Sequence, residues 1–192
     1  SDNGGAIPTR FATGDGDVRS PGADNGSFRE GKGSLYEGGV RVAALAHWPG
    51  RIPPKTVVTD VLHVTDLTAT LLRLAGAQPD AARRPDGVDV WPVLAERQRT
   101  SRTELLLNVE DFHGAIRVGE WKLVVHAALP ARIELFDIAN DPQEAENQAA
   151  AYPDRVRELL GRLDAHAYDM APSQYLDALA TTVSPALWRT NP

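Results

Sequence analysis

The sequence predicts an α/β chain in which a part with mixed strand and helix patterns precedes a small antiparallel sheet covered by one helix. Three observations predict this class. Residues 40–48 form a short apolar run, residues 65–76 carry leucines at helical spacing, and four short β-rich runs lie within residues 104–137. We place the boundary between the two parts near residue 99, ahead of the first β-rich run.

The first part is predicted to open with a loop and a buried strand. Gly, Asp, Asn, Ser and Pro are so frequent in residues 1–34 that we expect a loop there, functional at its two ends and mobile in its middle. Glycines and a proline flank residues 40–48, which favours a strand buried on both faces over a helix fragment. Residues 57–64 are a candidate for a second extended stretch.

A helix is predicted after Thr65 and Asp66, whose side chains are typical of an N-cap. Its leucines stand at residues 67, 71, 72 and 74, and Gly76 ends it. Residues 78–87 contain two prolines and a glycine, so we expect a linker there.

The second part is predicted to be an antiparallel meander followed by a helix. Its β-rich runs lie at residues 105–107, 115–118, 121–125 and 133–136. Short turns, including Gly119-Glu120, separate consecutive runs, which is typical of a meander. Residues 153–168 read as a helix whose apolar stripe of Val156, Leu160 and Leu163 covers the sheet. The tail after Pro172 has no clear pattern.

Composition excludes several classes of function. The chain has 192 residues, a net charge of −6 and no cysteine, so it has no basic footprint for nucleic acid and no thiolate or disulfide chemistry. No apolar run reaches the ~18 residues of a membrane-spanning helix, and no basic amphipathic segment favours a membrane surface. The polar, turn-like residues 1–5 indicate that the sequence begins inside a longer protein.

Asp2 and Asn3 are candidate metal ligands. A carboxylate beside a carboxamide offers two adjacent hard oxygens of the kind that Ca²⁺ and Mg²⁺ prefer. Gly4 and Gly5 let the backbone turn sharply behind them. A plain Asp-Asn-Gly turn is the alternative interpretation.

A glycine-rich segment, residues 29–41, contains the candidate catalytic residue Lys32. Glycines at 31, 33, 38 and 39 allow close backbone approach, and an ammonium held among them can stabilise an oxyanion or a leaving oxygen. A solvated surface lysine is the alternative. The spacing does not match a phosphate-binding P-loop, which requires Gly-x4-Gly-Lys-Ser/Thr.

The order of several motifs resembles the sulfatase (arylsulfatase) family. They are Ser-Asp-Asn-Gly at 1–4, Arg-x-x-Lys-Gly-Ser-x-Tyr-Glu-Gly-Gly-Val-Arg at 29–41, Trp-Pro-Gly at 48–50, Trp-Lys-Leu at 121–123 and Asn-Asp-Pro at 140–142. The resemblance runs in order through residue 165 and matches the C-terminal portion of the family. It implies an α/β fold of alkaline-phosphatase type. Residues 1–98 would form the last part of the large catalytic domain, and residues 99–192 the small domain with a four-stranded antiparallel sheet, a packed helix and a tail.

The resemblance also implies a partial active site. Asp2 and Asn3 match the family's ligands of an active-site calcium ion, with magnesium as the alternative ion. Related phosphatases carry a histidine at the second position, and an oxygen ligand there favours a hard ion over zinc. Lys32 matches the lysine that contacts the sulfate ester and stabilises its leaving oxygen. Supporting roles are assigned to Arg29, Glu37 and Arg41.

The nucleophile of the family is not found in this sequence. Sulfatases use a formylglycine made from Cys or Ser in a Cys/Ser-x-Pro/Ala-x-Arg motif, and the nearest approach, Ser184 to Arg189, places the arginine one residue late. We therefore expect the chain to be inactive alone and to need an N-terminal sulfatase portion, in the same or a separate chain, for sulfuric ester hydrolysis.

Two alternatives to a sulfatase stay open. One is a phosphoryl or phosphonate ester hydrolase of the same superfamily, and the other is a non-catalytic remnant or partner subunit. The family resemblance favours a periplasmic or secreted location. His63 and His113 are interpreted as structural or surface residues, because the family's catalytic histidines lie elsewhere. Residues 6–25 are a candidate lining for the pocket entrance, and the glycosylation sequon at Asn25 is expected to stay unmodified.

Overall fold

The computed structural model describes residues 1–7, 22–77, 85–110, 113–127 and 130–170. The first half contributes three short helices, and the second half contributes four strands and a long helix. In chain order the elements are α1 (Glu37–Val40), α2 (Val64–Leu74), α3 (Trp91–Glu96), β1 (Glu104–Glu110), β2 (His113–Val118), β3 (Trp121–His126), β4 (Arg132–Asp137) and α4 (Pro153–Asp169).

The four strands form one antiparallel sheet in the order β1-β2-β3-β4, which confirms the predicted meander. The hairpin from β2 to β3 pairs Val118 with Trp121 and turns through Gly119, whose φ of 60° suits glycine. The β1–β2 ladder has a register shift between Leu106 and Asn108. Each connection between these strands is short, so consecutive strands lie side by side.

Alternation along the strands gives the sheet two apolar faces. On one face Ala115, Val124 and Phe136 pack with Tyr36 of the glycine-rich segment. On the other face Ile116, Leu123 and Leu135 of the sheet pack against Leu159 and Leu163 of α4. The sheet is therefore a central layer, with α4 on one side and residues 29–41 on the other.

Helix α4 covers the sheet as the sequence predicts, with one addition to its apolar stripe. Leu159 is fully buried and Leu163 nearly so, whereas Val156 and Leu160 are partly buried at the edges of the contact. A Cβ at Gly114 of β2 would lie 2.8 Å from Leu163 Cδ2, so the helix approaches the strand closely there. Pro153 occupies the first turn, where its missing N–H costs nothing.

The prediction of a strand at residues 40–48 is wrong for the described part of the chain, and the extended stretch expected at residues 57–64 forms no strand there. Helix α1 ends at Val40, and residues 41–63 have no regular secondary structure. Leu45 is 92% exposed and Val57 is 85% exposed. A strand needs a neighbour to pair its N–H and C=O groups, and no described strand runs beside these residues.

Helix α2 begins two residues earlier than predicted, with His63 rather than Thr65-Asp66 at the N-cap. Asp66 is instead the third helical residue, and its carboxylate accepts a hydrogen bond from the His63 N–H at 2.7 Å. The apolar face of α2 is exposed, including Leu67 and Leu71. Helix α3 was not predicted, although Asp89 accepts a hydrogen bond from the Trp91 N–H at 2.9 Å in a pattern typical of a helix start.

The proposed domain boundary near residue 99 lies in the coil between α3 and β1. It stays a prediction. No helix in the described ranges is long and apolar enough to span a membrane.

Candidate functional site

The segment that carries Asp2 and Asn3 packs directly against α1. The Gly4 N–H donates to the Gly39 carbonyl at 2.9 Å, and a Cβ at Gly4 would lie 1.8 Å from the Gly38 oxygen. The Lys32 N–H donates to the Gly5 carbonyl at 3.0 Å. The two predicted site segments are therefore adjacent, and glycine is required where they meet.

Asp2 and Asn3 present their polar groups together near the surface. Asp2 is exposed and Asn3 is half-buried, and Asn3 Nδ2 donates to Asp2 Oδ2 at 2.7 Å. The Ser1 hydroxyl holds the turn by donating to the Asn3 carbonyl at 2.8 Å. A half-turn of the Asn3 amide would direct Oδ1 beside the Asp2 carboxylate, giving two hard oxygens at one place.

These two side chains fit a calcium ion in chemical type but not in number. Calcium takes about six to eight oxygen ligands. Within the ranges that the structure describes, no group of three or more His, Cys, Asp or Glu side chains is placed to hold a metal. The pair can supply only a minority of the ligands of such an ion.

Lys32 lies in a tight turn with an exposed side chain. Its backbone is held by the bond to Gly5, and the next residues are held by the bond from the Ser34 N–H to the Gly31 carbonyl at 3.0 Å. The ammonium forms no ion pair with any carboxylate in the described segments. The turn thus fixes the backbone of Lys32 while its charge remains available.

Of the three predicted supporting residues, Arg29 and Glu37 contact residues of the sheet or the loop beside it, whereas Arg41 is exposed. The Arg29 guanidinium lies 3.9 Å from the centre of the Tyr36 ring and donates to the Glu144 carbonyl at 3.1 Å. Arg41 pairs with Glu37 at 3.5 Å. Glu37 itself is buried. All three residues hold residues 29–41 in place.

A buried charge cluster, consisting of Glu37, Lys122 and Glu144, joins α1 to the sheet. Lys122 of β3 is fully buried, and its Nζ lies 2.9 Å from Glu37 Oε1 and 2.8 Å from Glu144 Oε1. The second contact joins a fully buried ammonium to a fully buried carboxylate. The Glu37 N–H donates to Glu144 Oε2 at 2.6 Å. Burial raises the pKa of Glu144 despite the opposing effect of Lys122.

The sequence analysis missed the role of Lys122 and Glu144. A signal was available, because Lys122 interrupts the apolar run of β3 and alternates with the residues that face α4. A lysine at such a position needs a buried carboxylate. Which carboxylates it meets depends on contacts across 85 residues of sequence, and no local pattern encodes them.

A second polar cluster lies on the same face of the sheet. The Tyr36 hydroxyl donates to Glu134 Oε2 and lies 3.2 Å from His126 Nε2. Burial raises the pKa of Tyr36 to about 12. The hydrogen bond to Glu134 and the negative charge of Glu134 act in the same direction. His126 stacks edge-on with His113 at 5.4 Å between ring centres. These contacts fix the glycine-rich segment on the sheet.

The histidines interpreted as structural have contacts that suit that interpretation. His63 Nδ1 lies 2.8 Å from the Thr65 hydroxyl at the start of α2. Burial, followed by the nearby Arg102 charge, lowers the pKa of His63 against the opposing Asp66. His113 begins β2 and pairs with His126 across the ladder.

Asn25 has a role that the sequence analysis did not predict. Its Oδ1 accepts from the Gly5 N–H at 2.8 Å, and its Nδ2 donates to the Gly5 and Glu30 carbonyls, each at 3.0 Å. The amide therefore ties both site segments together, and the atom that glycosylation would modify is engaged. Residues 8–21 of the proposed pocket entrance and Ser184 lie outside the described residues.

Comparison with known proteins identifies related sequences and folds. Residues 26–167 match the family described as N-sulphoglucosamine sulphohydrolase, C-terminal. Mouse arylsulfatase J is 26% identical over 86% of the chain, and mouse steryl-sulfatase is 33% identical over 76%. A Bacteroides thetaiotaomicron structure, described under the metabolism of multiple glycosaminoglycans, superposes on 74% of the chain with a TM-score of 0.63 and 26% identity.

The chain spans only part of each of these proteins. It covers 36% of arylsulfatase J, 28% of steryl-sulfatase and 32% of the Bacteroides chain. The matched region includes α1, the sheet and most of α4.

Proposed function

The chain belongs to the sulfatase family and has its alkaline-phosphatase-like α/β fold, and from that premise we propose that it supplies part of the calcium and sulfate site of a sulfuric ester hydrolase. The observation that carries the proposal is the contact between the two site segments. Gly4 bonds to Gly39 and Lys32 bonds to Gly5, so the candidate metal ligands and the candidate catalytic lysine share one small region.

Each residue has a distinct proposed role. Asp2 and Asn3 would hold the calcium ion through their side-chain oxygens, with magnesium as the alternative. Bound there, calcium offsets negative charge on the sulfate oxygens. The Lys32 ammonium donates a hydrogen bond to the sulfate ester and stabilises negative charge that develops on the leaving oxygen. Arg29, Glu37 and Arg41 support this arrangement by holding residues 29–41.

We propose that the chain alone is inactive, because the sequence contains no cysteine and no serine in the formylglycine motif. Without that nucleophile no covalent step is available. Activity would require an N-terminal sulfatase portion, in the same or a separate chain, that carries the nucleophile and the remaining metal ligands. The chain covers only 36% of arylsulfatase J and 28% of steryl-sulfatase, which supports the proposal that an N-terminal portion completes the site.

An exposed apolar surface also supports the partner. It consists of Val42, Leu45, Trp48, Val57, Val64, Leu67, Leu71 and Leu72. Many large apolar side chains exposed in neighbouring parts of the chain are typical of a surface that a partner covers. We assign the surface to the N-terminal portion, because α2 and residues 41–57 lie in the part that is proposed to complete the large domain.

Two alternatives remain as proposals. A phosphoryl or phosphonate ester hydrolase would use the same metal and lysine with another nucleophile, and a non-catalytic subunit would keep the fold without turnover. Asn3 favours a hard ion and so supports the sulfatase over zinc-dependent relatives. The proposed location is the periplasm or the outside of the cell.

The test is to replace Lys32 by alanine in the protein expressed from its complete natural gene. We expect hydrolysis of a chromogenic aryl sulfate to fall by about 10²–10³-fold, because one charged donor to the developing oxyanion is lost. Arg157→Ala, which removes an exposed cation from α4, is the control.

Three results would count against the proposal. Unchanged sulfatase activity in Lys32→Ala would exclude the catalytic role of the lysine. Hydrolysis of the matching aryl phosphate in preference to the sulfate would favour the phosphoryl alternative. Turnover of neither ester by the complete protein would favour the non-catalytic alternative.

A further inference from the structure

Helix α1 connects the site segments to the buried charge cluster, and Arg29 adds a direct contact to the Glu144 carbonyl at 3.1 Å. On one side, Gly39 accepts from the Gly4 N–H at 2.9 Å and Gly38 donates to the Arg29 carbonyl at 2.9 Å. On the other side, Glu37 enters the core and pairs with Lys122. A displacement of this single helical turn would move Asp2-Asn3 and Lys32 together.

The cluster fixes α1 more strictly than apolar packing would. The Lys122 ammonium is fully buried and has carboxylate oxygens of Glu37 and Glu144 at 2.9 and 2.8 Å. Glu144 also accepts a hydrogen bond from the Glu37 N–H at 2.6 Å. Lys122 of β3 therefore holds the side chain of Glu37, and Glu144, in the loop after β4, holds its backbone. A buried charge that loses contact with its partner is strongly destabilising, so these ion pairs restrict the position of α1.

Close backbone contacts transmit this constraint to the site. A Cβ at Gly38 would lie 2.2 Å from the Glu30 carbonyl oxygen, and one at Gly39 would lie 2.3 Å from the Ser34 carbonyl oxygen. The backbone of α1 thus lies in close contact with the turn that carries Lys32, and no additional atom fits between them. The position of that turn therefore follows the position of α1.

We propose that Lys122 and Glu144 are positioning residues, which act through Glu37 and α1 to set the place of Lys32 relative to Asp2 and Asn3. The inference rests on the proposed function for the importance of that geometry, but the mechanical linkage stands on the contacts alone. The small sheet then takes part in the site without touching a substrate.

A merely structural role makes a different prediction. If Lys122 and Glu144 only stabilise the fold, their loss lowers the protection of all amides to a similar degree. If they position the site, their loss opens the site segments locally while the centre of the sheet stays protected. Residue-resolved amide hydrogen exchange separates these cases.

The experiment measures exchange in the protein expressed from its complete gene and in its Glu144→Gln variant, which keeps an acceptor for the Glu37 N–H but removes the charge beside Lys122. We expect the amides of Gly4, Lys32 and Gly38 to exchange about tenfold faster or more. The amides of Ile116 and Leu123, at the centre of the sheet, should change by less than about twofold.

A matched control breaks another ion pair that has a fully buried carboxylate. Arg102→Gln removes the partner of Asp66, which is fully buried near the start of α2. It should leave the exchange of Gly4, Lys32 and Gly38 unchanged, because neither residue contacts α1. Lys122→Met is the stronger variant and should exceed Glu144→Gln in its effect on the same amides.

These outcomes test the proposal without any measurement of catalytic activity. Equal acceleration throughout the chain in Glu144→Gln, or wild-type exchange at Gly4, Lys32 and Gly38, would overturn it. Failure of Lys122→Met to fold leaves the decision with Glu144→Gln. Because the readout needs neither calcium nor substrate, loss of the positioning role and loss of the proposed sulfatase function are distinguishable.

A second readout links the cluster to catalysis in the protein expressed from its complete gene. Glu144→Gln should lower kcat for the aryl sulfate while changing KM by less than about twofold, because Lys32 acts on the leaving oxygen in the transition state. A rise in KM at constant kcat would contradict a positioning role for Lys122 and Glu144.

Discussion

Asp66 illustrates how one buried carboxylate connects three parts of the chain. Its oxygens accept from the backbone N–H groups of His63 at 2.7 Å and Val88 at 2.9 Å, and they pair with the Arg102 guanidinium. Burial alone would raise the pKa of Asp66, but the bonds from Arg102, His63 and Val88 outweigh it and hold the pKa below its usual range.

The lowered pKa of Asp66 predicts acid-sensitive stability. The unfolded chain binds the proton more readily, so the stabilisation is full above the unfolded pKa of about 3.8 and is lost as pH falls through the lower folded pKa. We expect Asp66→Asn to reduce the free energy of unfolding by about 3–5 kcal/mol near neutral pH. The difference from wild type should shrink below about pH 3.8.

Urea unfolding at several pH values measures this difference. Asp154→Asn, at a position whose side chain is 91% exposed, is the control and should change stability little at any pH. A gap between Asp66→Asn and wild type that stays constant on acidification would contradict the prediction.

The sequence predicts residue types better than it predicts their partners. Asp66 is identifiable as a capping residue because it precedes a run of leucines at helical spacing. Its assignment as N-cap is three positions off, because Asp66 is the third helical residue and the bonds to Val88 and Arg102 bury its carboxylate inside the first turn. Those partners lie 22 and 36 residues away and leave no local signature.

At the scale of elements, α1 depends on small residues for its position. Its two glycines face the carbonyls of Arg29, Glu30 and Ser34 at distances that a methyl group cannot occupy. The exposed Gly161 of α4 is the opposite case, because a Cβ there would meet nothing within 4 Å. The two helices therefore offer a matched pair of substitutions.

Gly38→Ala and Gly161→Ala should shift stability in opposite directions. The new methyl at Gly38 would lie 2.2 Å from the Glu30 oxygen, so we expect a loss of about 1–3 kcal/mol from forced displacement. Alanine at Gly161 should add about 0.5–1 kcal/mol, because glycine is a poor residue within an exposed helix. Urea unfolding midpoints measure both changes.

A stabilised Gly38→Ala would mean that α1 moves without cost. That result would also weaken the claim that α1 transmits position from the sheet to the site. A destabilised Gly161→Ala would point to contacts with residues beyond those described.

The strands and α4 follow from local patterns, whereas the predicted strand at residues 40–48 fails. The meander has alternating apolar residues and short turns, and each strand finds its neighbour within a few residues. Residues 40–48 have strand composition but no adjacent strand in the described chain. Composition can indicate that a segment suits a strand, and pairing depends on what lies beside it.

At the scale of the whole molecule, apolar surface is distributed unevenly. The sheet is covered on both faces, whereas α2 and residues 41–57 expose most of their large apolar side chains. Val156 and Leu160 at the edge of α4 are partly buried by comparison. The uncovered side is where we propose that the N-terminal portion binds.

Replacing Leu67 and Leu71 by glutamine should reduce self-association of the 192-residue chain. Glutamine preserves helix propensity while removing the exposed apolar groups. Sedimentation velocity and binding of a hydrophobic dye measure the effect. Tyr168→Gln, which removes an isolated side chain that is 92% exposed, is the control and should change neither.

A wild-type chain that stays monomeric and binds no dye would contradict this surface assignment. So would a double variant that associates as strongly as wild type. In either case the N-terminal portion would need another surface.

The candidate site residues were named from the sequence, but the buried charge cluster that supports them was not predicted. Asp2, Asn3 and Lys32 were identified by motif, and their side-chain roles stay predictions. The structure brings their segments together through Gly4, Gly5 and Asn25. The supporting cluster was missed because its members are separated by as many as 107 residues.

That separation bears on the order in which the molecule forms. The hairpins of the meander close loops of a few residues, which is fast and costs little chain entropy. The contacts of Glu37 with Lys122 and Glu144 close loops of 85 and 107 residues, and they require the sheet as a template. Residues 29–41 leave a ribosome before Lys122 and Glu144 do, so during synthesis these contacts form only after the later residues have emerged.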